Sequence, residues 1–501
     1  HNPASNIFVE ITGYDQPDTA AGFAFIHEYN SPHVISNLAD TLATNNDVVG
    51  YKLDGNETTN GNEAAWLRVD KSGIIFRNTP NNFPLREFDL VVEAHDGLGR
   101  TSAGNQIWNN TIRGEDGTMQ TVYNGLPIRG GERVLIKIAG NSSINKGLDF
   151  SDRPSRYFHV GSVTNVMIDE GTETFTLNLV SRETITNETV RVGKKFPTSQ
   201  KISDSVKNIL KDYIKTEKEI IVDNTQNPYG FIGNMKKPFS IITWLVSKSV
   251  PGKGSAKDSS AGFLFYETVN GFNFRSIDNL IDEDPFRKNY IFTPGIVNTE
   301  DANRDFKILR YSINRNQDLI AKLERGAFSS QRYYINPVSF IPSISVFKSS
   351  DYLKKSGMSK LGAKPIDLPK IDDKSETTLG DLPTRIFVGM LDVGTVEEEA
   401  SDEGWNASSK LNADPAKIHA QSMMRYNQLF TQVLEITIPL NTTLTAGNII
   451  RCEFPQTSDS KRKKPDPETS GLYMIKELAH YFDGKGSYSK LKLVRDSFGR
   501  K

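Results

Sequence analysis

LTAGNIIRCEF (residues 444–454) and LYMIKELAHYFDGKGSYSKLKLVRDS (residues 472–497) spell out β architecture. In the first, Gly447 interrupts an extended run, and 448–454 is rich in β-branched side chains. In the second, the runs 472–481 and 487–494 meet at Asp483-Gly484-Lys485-Gly486. An Asp-Gly pair supplies the positive backbone angles of a tight turn, so a hairpin is predicted there. Just upstream, 432–440 alternates apolar and polar residues, the period of a half-buried strand. Asp414-Pro415 reads as a helix start, because the carboxylate accepts orphan amides of the first turn and proline lacks one of them. The stretch 414–495 is therefore helix, strand, strand, hairpin, and it carries no active-site pattern.

The rest of the composition fits that beginning. A chain of 501 residues is too long for one ordinary core and points to about three domains. A hydrophobic content of 37% with frequent glycine and β-branched residues suits a mainly β protein. Lys plus Arg is 60 against 61 for Asp plus Glu. A groove gripping phosphates needs a basic excess, so the balance speaks against sequence-specific nucleic-acid binding. The single cysteine, Cys452, excludes an internal disulfide framework and a multi-cysteine zinc site, and reads as a small buried hydrophobe in a strand. No apolar run approaches the ~18 residues of a membrane span. The chain opens His1-Asn2-Pro3 with no signal peptide, as a fragment of a longer polypeptide would.

Working outward, five segments emerge. Residues 1–21 hold one strand-like run, 7–12, and stay unassigned. Residues 22–104 show short strands at regular spacing, the pattern of a β-sandwich. Residues 105–200 form a second β region, with strand signals at 119–123, 133–139, 157–168 and 173–181 and turns at Asn124-Gly125 and Gly130-Gly131. Residues 201–290 connect. There Ile202, Val206, Ile209, Leu210, Tyr213 and Ile214 share one helical face, and Pro238 opens a short helix whose Trp244 and Leu245 are placed to anchor it. The helix is followed by an aromatic hairpin, 262–267 and 271–276, around Thr268-Val269-Asn270-Gly271. Residues 291–501 close the chain. Within them 304–315 and 331–347 each read as a strand. The charged, breaker-rich 351–381 reads as an extended excursion inside a mobile linker of about 351–413. The acidic run Glu397-Glu398-Glu399 with Asp402-Glu403 reads as a solvated face, with a docking surface as the alternative.

Catalytic patterns are missing. The seven histidines include no pair at helical metal-ligand spacing, and His419 and His480 stand alone. There is no Gly-x-Ser-x-Gly elbow, and Gly252-Lys253-Gly254-Ser255 lacks the earlier glycine and the leading strand of a phosphate loop. No metal or other cofactor is called for by these patterns, and a non-enzyme is expected.

Two resemblances add to this reading. Tyr51-Lys-Leu-Asp-Gly-Asn56, then 66–76, then LREFDLVVEAHDGLG (85–99) resemble a cadherin-like repeat over about 80 residues. That resemblance implies calcium ligation at Glu87 and Asp96. The stretch departs from the pattern, since Pro84-Leu85-Arg86-Glu87 lacks the motif's aspartate and no Asp-x-Asn-Asp-Asn linker follows. Calcium takes six or more oxygens, so two solvated surface carboxylates are the simpler reading.

The second resemblance spans 105–501. EDGTMQTVYNG (115–125), GERVLIKIAGN (131–141), FHVGSVTNVMIDEGTETFTLNLVS (158–181), the connecting helices and Phe-rich hairpin, YNQLF (426–430), LTAGNIIRCEF and YMIKELAHYFDGKGSYSKLKLV (473–494) follow one another in that order. The order resembles the central baseplate hub of T-even-type contractile phages, a family related to type VI secretion spike proteins.

The resemblance implies a mainly β (α+β) chain: two barrel-like hub domains with accessory helices behind an N-terminal sandwich. It further implies a homotrimer in the virion tail baseplate, assembled in the host cytoplasm, that joins a threefold spike to a sixfold tail tube and leaves a channel for DNA. The implied neighbours are the central spike protein, tail tube or tube-initiator proteins, the tape measure protein and baseplate wedge proteins. Two exposed segments are the expected contact points, the basic loop Lys461-Arg462-Lys463-Lys464 and the linker before Asp414. Two other classes compete with this one: a cell-surface or virion adhesin using the cadherin-like domain, and a secreted hydrolase with convergent carboxylates.

Overall fold

In a computed structural model the residues described are, up to 129, ten short strands. From 130 onward they are the whole chain except 140–144, 170–171, 253–259, 293–303, 316, 338–339, 341, 354–359, 365–367, 373, 392–417, 457–463 and 484–485. The fold is mainly β and separates into two compact units, one of residues 1–185 with 482–487, the other of 186–481 with 488–501.

The first unit is built on Arg133–Ala139. Phe158–Asp169 runs antiparallel to its start, Gly147–Asp149 pairs with its end, and Thr172–Ser181 extends the sheet beyond Phe158–Asp169. On the other side of Arg133–Ala139 lies Ile7–Thr12, in the register Ile7 to Ile138 through Thr12 to Arg133. The unassigned N-terminal run thus belongs to this sheet. The short strands between 23 and 113 interrupt the sequence between two strands that pair directly. Local patterning identified both strands but not their partnership, because more than a hundred residues separate them. Val134 and Val160 are buried, with Phe158, Val163, Phe175 and Leu177 packed on them. Among the intervening strands, Phe23–Phe25 pairs with Arg86–Phe88, His33–Asn37 with Ile74–Arg77, and Val48–Leu53 with Val92–Asp96.

The second unit begins with the predicted helix. Ile202–Asn208 widens into a π-helical turn, Ile209–Ile214, and stops at Lys215, whose left-handed φ of 54° ends the helix. Five of its six apolar residues are buried and Tyr213 is partly so, packed with Phe231, Ile241, Leu245 and Phe274. Pro238–Val246 starts on its proline, with the Phe239 N–H donating to Asn187 Oδ1 at 2.8 Å. Leu245 is fully buried, whereas Trp244 lies at the surface with its ring edge-on to Tyr229 and Phe231.

Phe263–Thr268 and Gly271–Ser276 form the aromatic hairpin, and Glu219–Val222 joins it in parallel. The positive φ of the turn falls on Gly271, at +137°. A Cβ there would lie 2.1 Å from the Glu219 carbonyl oxygen, so glycine serves both the turn and the approach of the third strand.

The seven-stranded sheet carries the closing stretch. Its order is Lys307–Ile308, Tyr290–Phe292, Ile449–Glu453, Gly471–Asp483, Gly486–Arg495, Gln432–Pro439, Arg310–Arg315. The first and last strands of that path are consecutive in the chain, and the Leu309 N–H between them bonds the Thr437 carbonyl at 2.8 Å. The sheet therefore curls into a nearly closed barrel. Alternate residues divide its faces. Leu434, Ile436, Ile438, Ile450, Cys452 and Leu493 are buried on one face. On the other, Val433, Ile449, Met474 and Val494 pack with Leu280, Ile281 and Leu429. The expected strand over 304–315 is divided at Leu309, where the chain passes from one end of the sheet to the other.

Two expectations change. The run 331–347 is a hairpin, Ser329–Ile335 with Pro342–Lys348, because Pro337 lies in the reversal rather than within a strand. The breaker-rich segment is held where it is described. Leu361 is fully buried, its N–H donates to Asp496 Oδ1 at 3.0 Å, and Lys364 and Phe498 exchange main-chain hydrogen bonds. Thr378 and Asp381 form a capping box, and Arg385–Met390 adds a parallel strand to Ser329–Ile335. A segment anchored by polar contacts has the composition of a loose one, which is why its docking was not legible.

Candidate functional site

The helix Ala420–Leu429 is where the second unit is pinned together. Its Arg425 is 1% exposed and meets two equally buried carboxylates, Asp278 and Asp496, the latter at 3.3 Å. Asp278 also accepts from the Ser260 N–H at 2.7 Å, and Asp496 from the Leu361 N–H and the Ser497 hydroxyl. Around this cluster Gln421 Oε1 accepts from the Ala261 N–H at 3.2 Å. The Tyr426 hydroxyl bridges the main chain of Phe263, accepting at 3.1 Å and donating at 2.7 Å. One arginine thus ties the aromatic hairpin region, the helix, the 361 segment and the end of the last strand. Two charges around one guanidinium, each further hydrogen-bonded, meet the condition for a tolerable buried ion group.

Arg332 is the second buried guanidinium. It is fully buried on the inner face of the small sheet Pro342–Lys348, Ser329–Ile335, Arg385–Met390. It donates to the Ser330 and Tyr334 hydroxyls and to His419 Nδ1 at 3.1 Å, and lies over Phe387, 4.5 Å from the ring centroid. Burial pulls the His419 imidazole down to about 4, and the charges of Arg332 and Lys248 reinforce it. A neutral ring with a free Nδ1 is what Arg332 needs as an acceptor.

The outer face of this small sheet is its inverse. Register places Tyr333 beside Ile344 and Val388, Gln331 beside Val346 and Ile386, and Ile335 beside Pro342 and Met390. None of these nine positions is charged, and Val388 and Met390 are 75% and 77% exposed. At the far end of the hairpin Phe340 is 77% exposed with φ 57°, a left-handed conformation that a bulky residue seldom adopts.

Of the residues singled out from sequence, Glu87 pairs with Ala24 in one two-stranded sheet and Asp96 with Val48 in another; their side chains lie outside the described residues. Lys461, Arg462 and Lys463 lie outside them as well, as do Asp414, Pro415 and the acidic run 397–403. Lys464 is exposed, its carbonyl accepting from the Gln456 N–H at 3.0 Å. Among the described residues no group of three His, Cys, Asp or Glu side chains is placed to hold a metal ion, and no helix is long and apolar enough to cross a membrane. His480 is partly buried with Nδ1 2.8 Å from the Ser489 hydroxyl, and Cys452 is fully buried. Sequence reasoning missed the buried arginines and the apolar outer face. A lone arginine gives no sign of burial, and alternation does not say which side faces water.

No family model matches the chain. Among solved structures, a tail protein from Neisseria meningitidis aligns with a TM-score of 0.43 at 10% identity, covering 74% of this chain and 86% of that one. The 43 kDa tail protein of prophage MuSo2 from Shewanella oneidensis aligns with a TM-score of 0.38 at 10% identity, covering 74% and 84%. A curated relative, the probable baseplate hub protein of Vibrio phage KVP40, is 21% identical over 302 residues, 59% of this chain. The matched region spans 66% of that relative's length. In sequence, this chain is similar to a phage baseplate hub protein.

Proposed function

We propose that the chain is a structural protein of a contractile phage tail baseplate, located in the virion, and that it serves as the trimeric central hub between a threefold spike and a sixfold tail tube. The observation that carries the reading is the 302-residue similarity to a probable baseplate hub protein. The fold is consistent with a mechanical role. A sheet whose first and last strands are joined by one residue offers little free edge, and its buried face is filled with Leu, Ile and Cys side chains. A filled barrel conducts nothing, so a DNA passage has to be bounded by the outer surfaces of several chains. A net charge of −1 suits a wall along which DNA slides.

Three copies, each bringing two β domains, would give a ring of pseudo-sixfold symmetry through a heterologous, closing interface. Spike, tube or tube-initiator, tape measure and wedge proteins are the neighbours in this reading, with the loop 461–464 as a contact. The 22–104 region projects outward toward neighbouring baseplate proteins. The role is not enzymatic.

The test is a cryo-EM reconstruction of the native tail together with the mass of the purified chain by light scattering. Three copies on the tail axis are expected. Absence of the chain from the axis, with a monomer at every concentration, would refute the proposal. For the sandwich region, titration calorimetry with calcium on the full chain and on Glu87→Gln/Asp96→Asn decides whether those carboxylates bind a cation.

A further inference from the structure

The small sheet of the second unit is inverted with respect to water. Its inner face holds Arg332, Tyr334 and Phe387, while its outer face holds Ile335, Ile344, Val346, Ile386, Val388 and Met390, each at least 43% exposed. A chain that worked alone would be more stable with these faces exchanged, since apolar area in water costs about 25 cal/mol per Å². These six side chains lie side by side on three paired strands, a contiguous apolar patch on the scale of the largest that a typical monomer shows, about 300–600 Å², and approaching the ~800 Å² that each partner gives to a stable complex.

We infer that this face is an interface between copies of this chain, with Phe340 at the hairpin tip inserted into the neighbour. The inference rests on the hub reading and deepens it by locating a subunit contact. The area argues for a permanent partner. The absence of charge from all nine positions argues for a permanent rather than a transient partner, because permanent interfaces resemble a core cut in half and transient ones are more polar, and in a closed ring of identical chains that permanent partner is a second copy. Phe340 adds a second kind of observation: a large aromatic held exposed in a strained backbone conformation at the sheet's end.

The experiment uses the full chain. Ile344→Glu and Val388→Glu, both on exposed positions, are compared with wild type by light scattering across concentration, with circular dichroism confirming the fold. Met235→Glu, an exposed apolar site on another surface, is the control. Wild type and control are expected to self-associate, and each face variant to weaken association by at least about 30-fold.

Because Cys452 is buried, a thiol introduced by Val388→Cys is the only reactive one. Maleimide should modify it rapidly in dilute monomer and at least about tenfold more slowly in the oligomer. Self-association unaffected by the face variants overturns the inference, as does a wild type monomeric at every concentration. A Val388→Cys thiol protected even in the monomer also overturns it, by showing an internal cover. Incorporation of the chain into tails is scored separately, so the hub reading stands or falls on its own result.

Discussion

Arg425 Nη1 lies 3.3 Å from Asp496 Oδ2, joining a helix to the end of the last strand across 71 residues of sequence, with both side chains almost wholly buried. Asp278 closes the group from the other side. Replacing Arg425 by alanine leaves two carboxylates in the interior without their cation, and the expected cost is about 3–5 kcal/mol. Arg425→Met combined with Asp278→Asn and Asp496→Asn removes the charges together and should cost less than the single change. Equilibrium urea unfolding of the variants measures both, and an Arg425→Ala loss below about 1 kcal/mol would contradict the role assigned to the cluster.

Gly362 tests the docking of the breaker-rich segment. A Cβ at this position would stand 2.5 Å from the Phe498 carbonyl oxygen, and the Gly362 N–H donates to the Ser497 hydroxyl at 2.7 Å. Gly362→Ala should open the segment locally rather than unfold the unit. A penalty of about 2 kcal/mol corresponds to roughly a 30-fold rise in local opening. Limited proteolysis after Lys360 reads that opening, and an unchanged cleavage rate would mean the segment is not held there.

The legible part of this fold was what depends on neighbours in sequence. The alternation of Gln432–Pro439, the apolar face of Ile202–Asn208 and the two-residue reversal before Gly271 all announce themselves within a dozen residues. The illegible part depends on distance. That Ile7–Thr12 pairs with Arg133–Ala139, that Leu361 is buried by the chain's last residues, and that Ile344 and Val388 face outward are decided by tertiary context. Pro342 illustrates the boundary: it opens the strand Pro342–Lys348, yet nothing within a few residues distinguishes a proline that starts a second strand from one inside a single β-rich run. The site was less legible still, since a surface made of Ile, Val and Met is indistinguishable in sequence from a core.

Cys452 gives a direct check of the barrel's filled face. The thiol is fully buried and burial pushes its ionisation well above the usual thiol range, so the reactive thiolate is suppressed twice over. A disulfide reagent should find no reactive thiol in the native protein and one per chain in denaturant. Cys452→Ala is expected to cost about 1–2 kcal/mol by leaving a small cavity, and Cys452→Ser more, because a hydroxyl would be buried without a ready partner. Rapid modification of the native protein would mean that the barrel opens at Ile449–Glu453.

His419 should make the second unit acid-sensitive in a defined window. Its Nδ1 accepts from Arg332, and burial, then Arg332, then Lys248 bring its pKa to about 4 from an ordinary 6.5. The folded state therefore binds fewer protons than the unfolded chain between those values, and stability rises with pH across them. The stabilisation is complete above about pH 6.5, declines as pH falls toward 4, and is exhausted below. The full shift corresponds to at most about 3 kcal/mol, reduced by the ring's partial exposure. His480, also lowered by burial, contributes in the same direction. Asn offers an acceptor where Nδ1 stood but does not titrate, so His419→Asn should flatten the dependence of unfolding free energy on pH between 4 and 6.5 while leaving stability near pH 7.5 little changed. Identical slopes for wild type and variant across that interval would show that the imidazole beside Arg332 is not the group responsible.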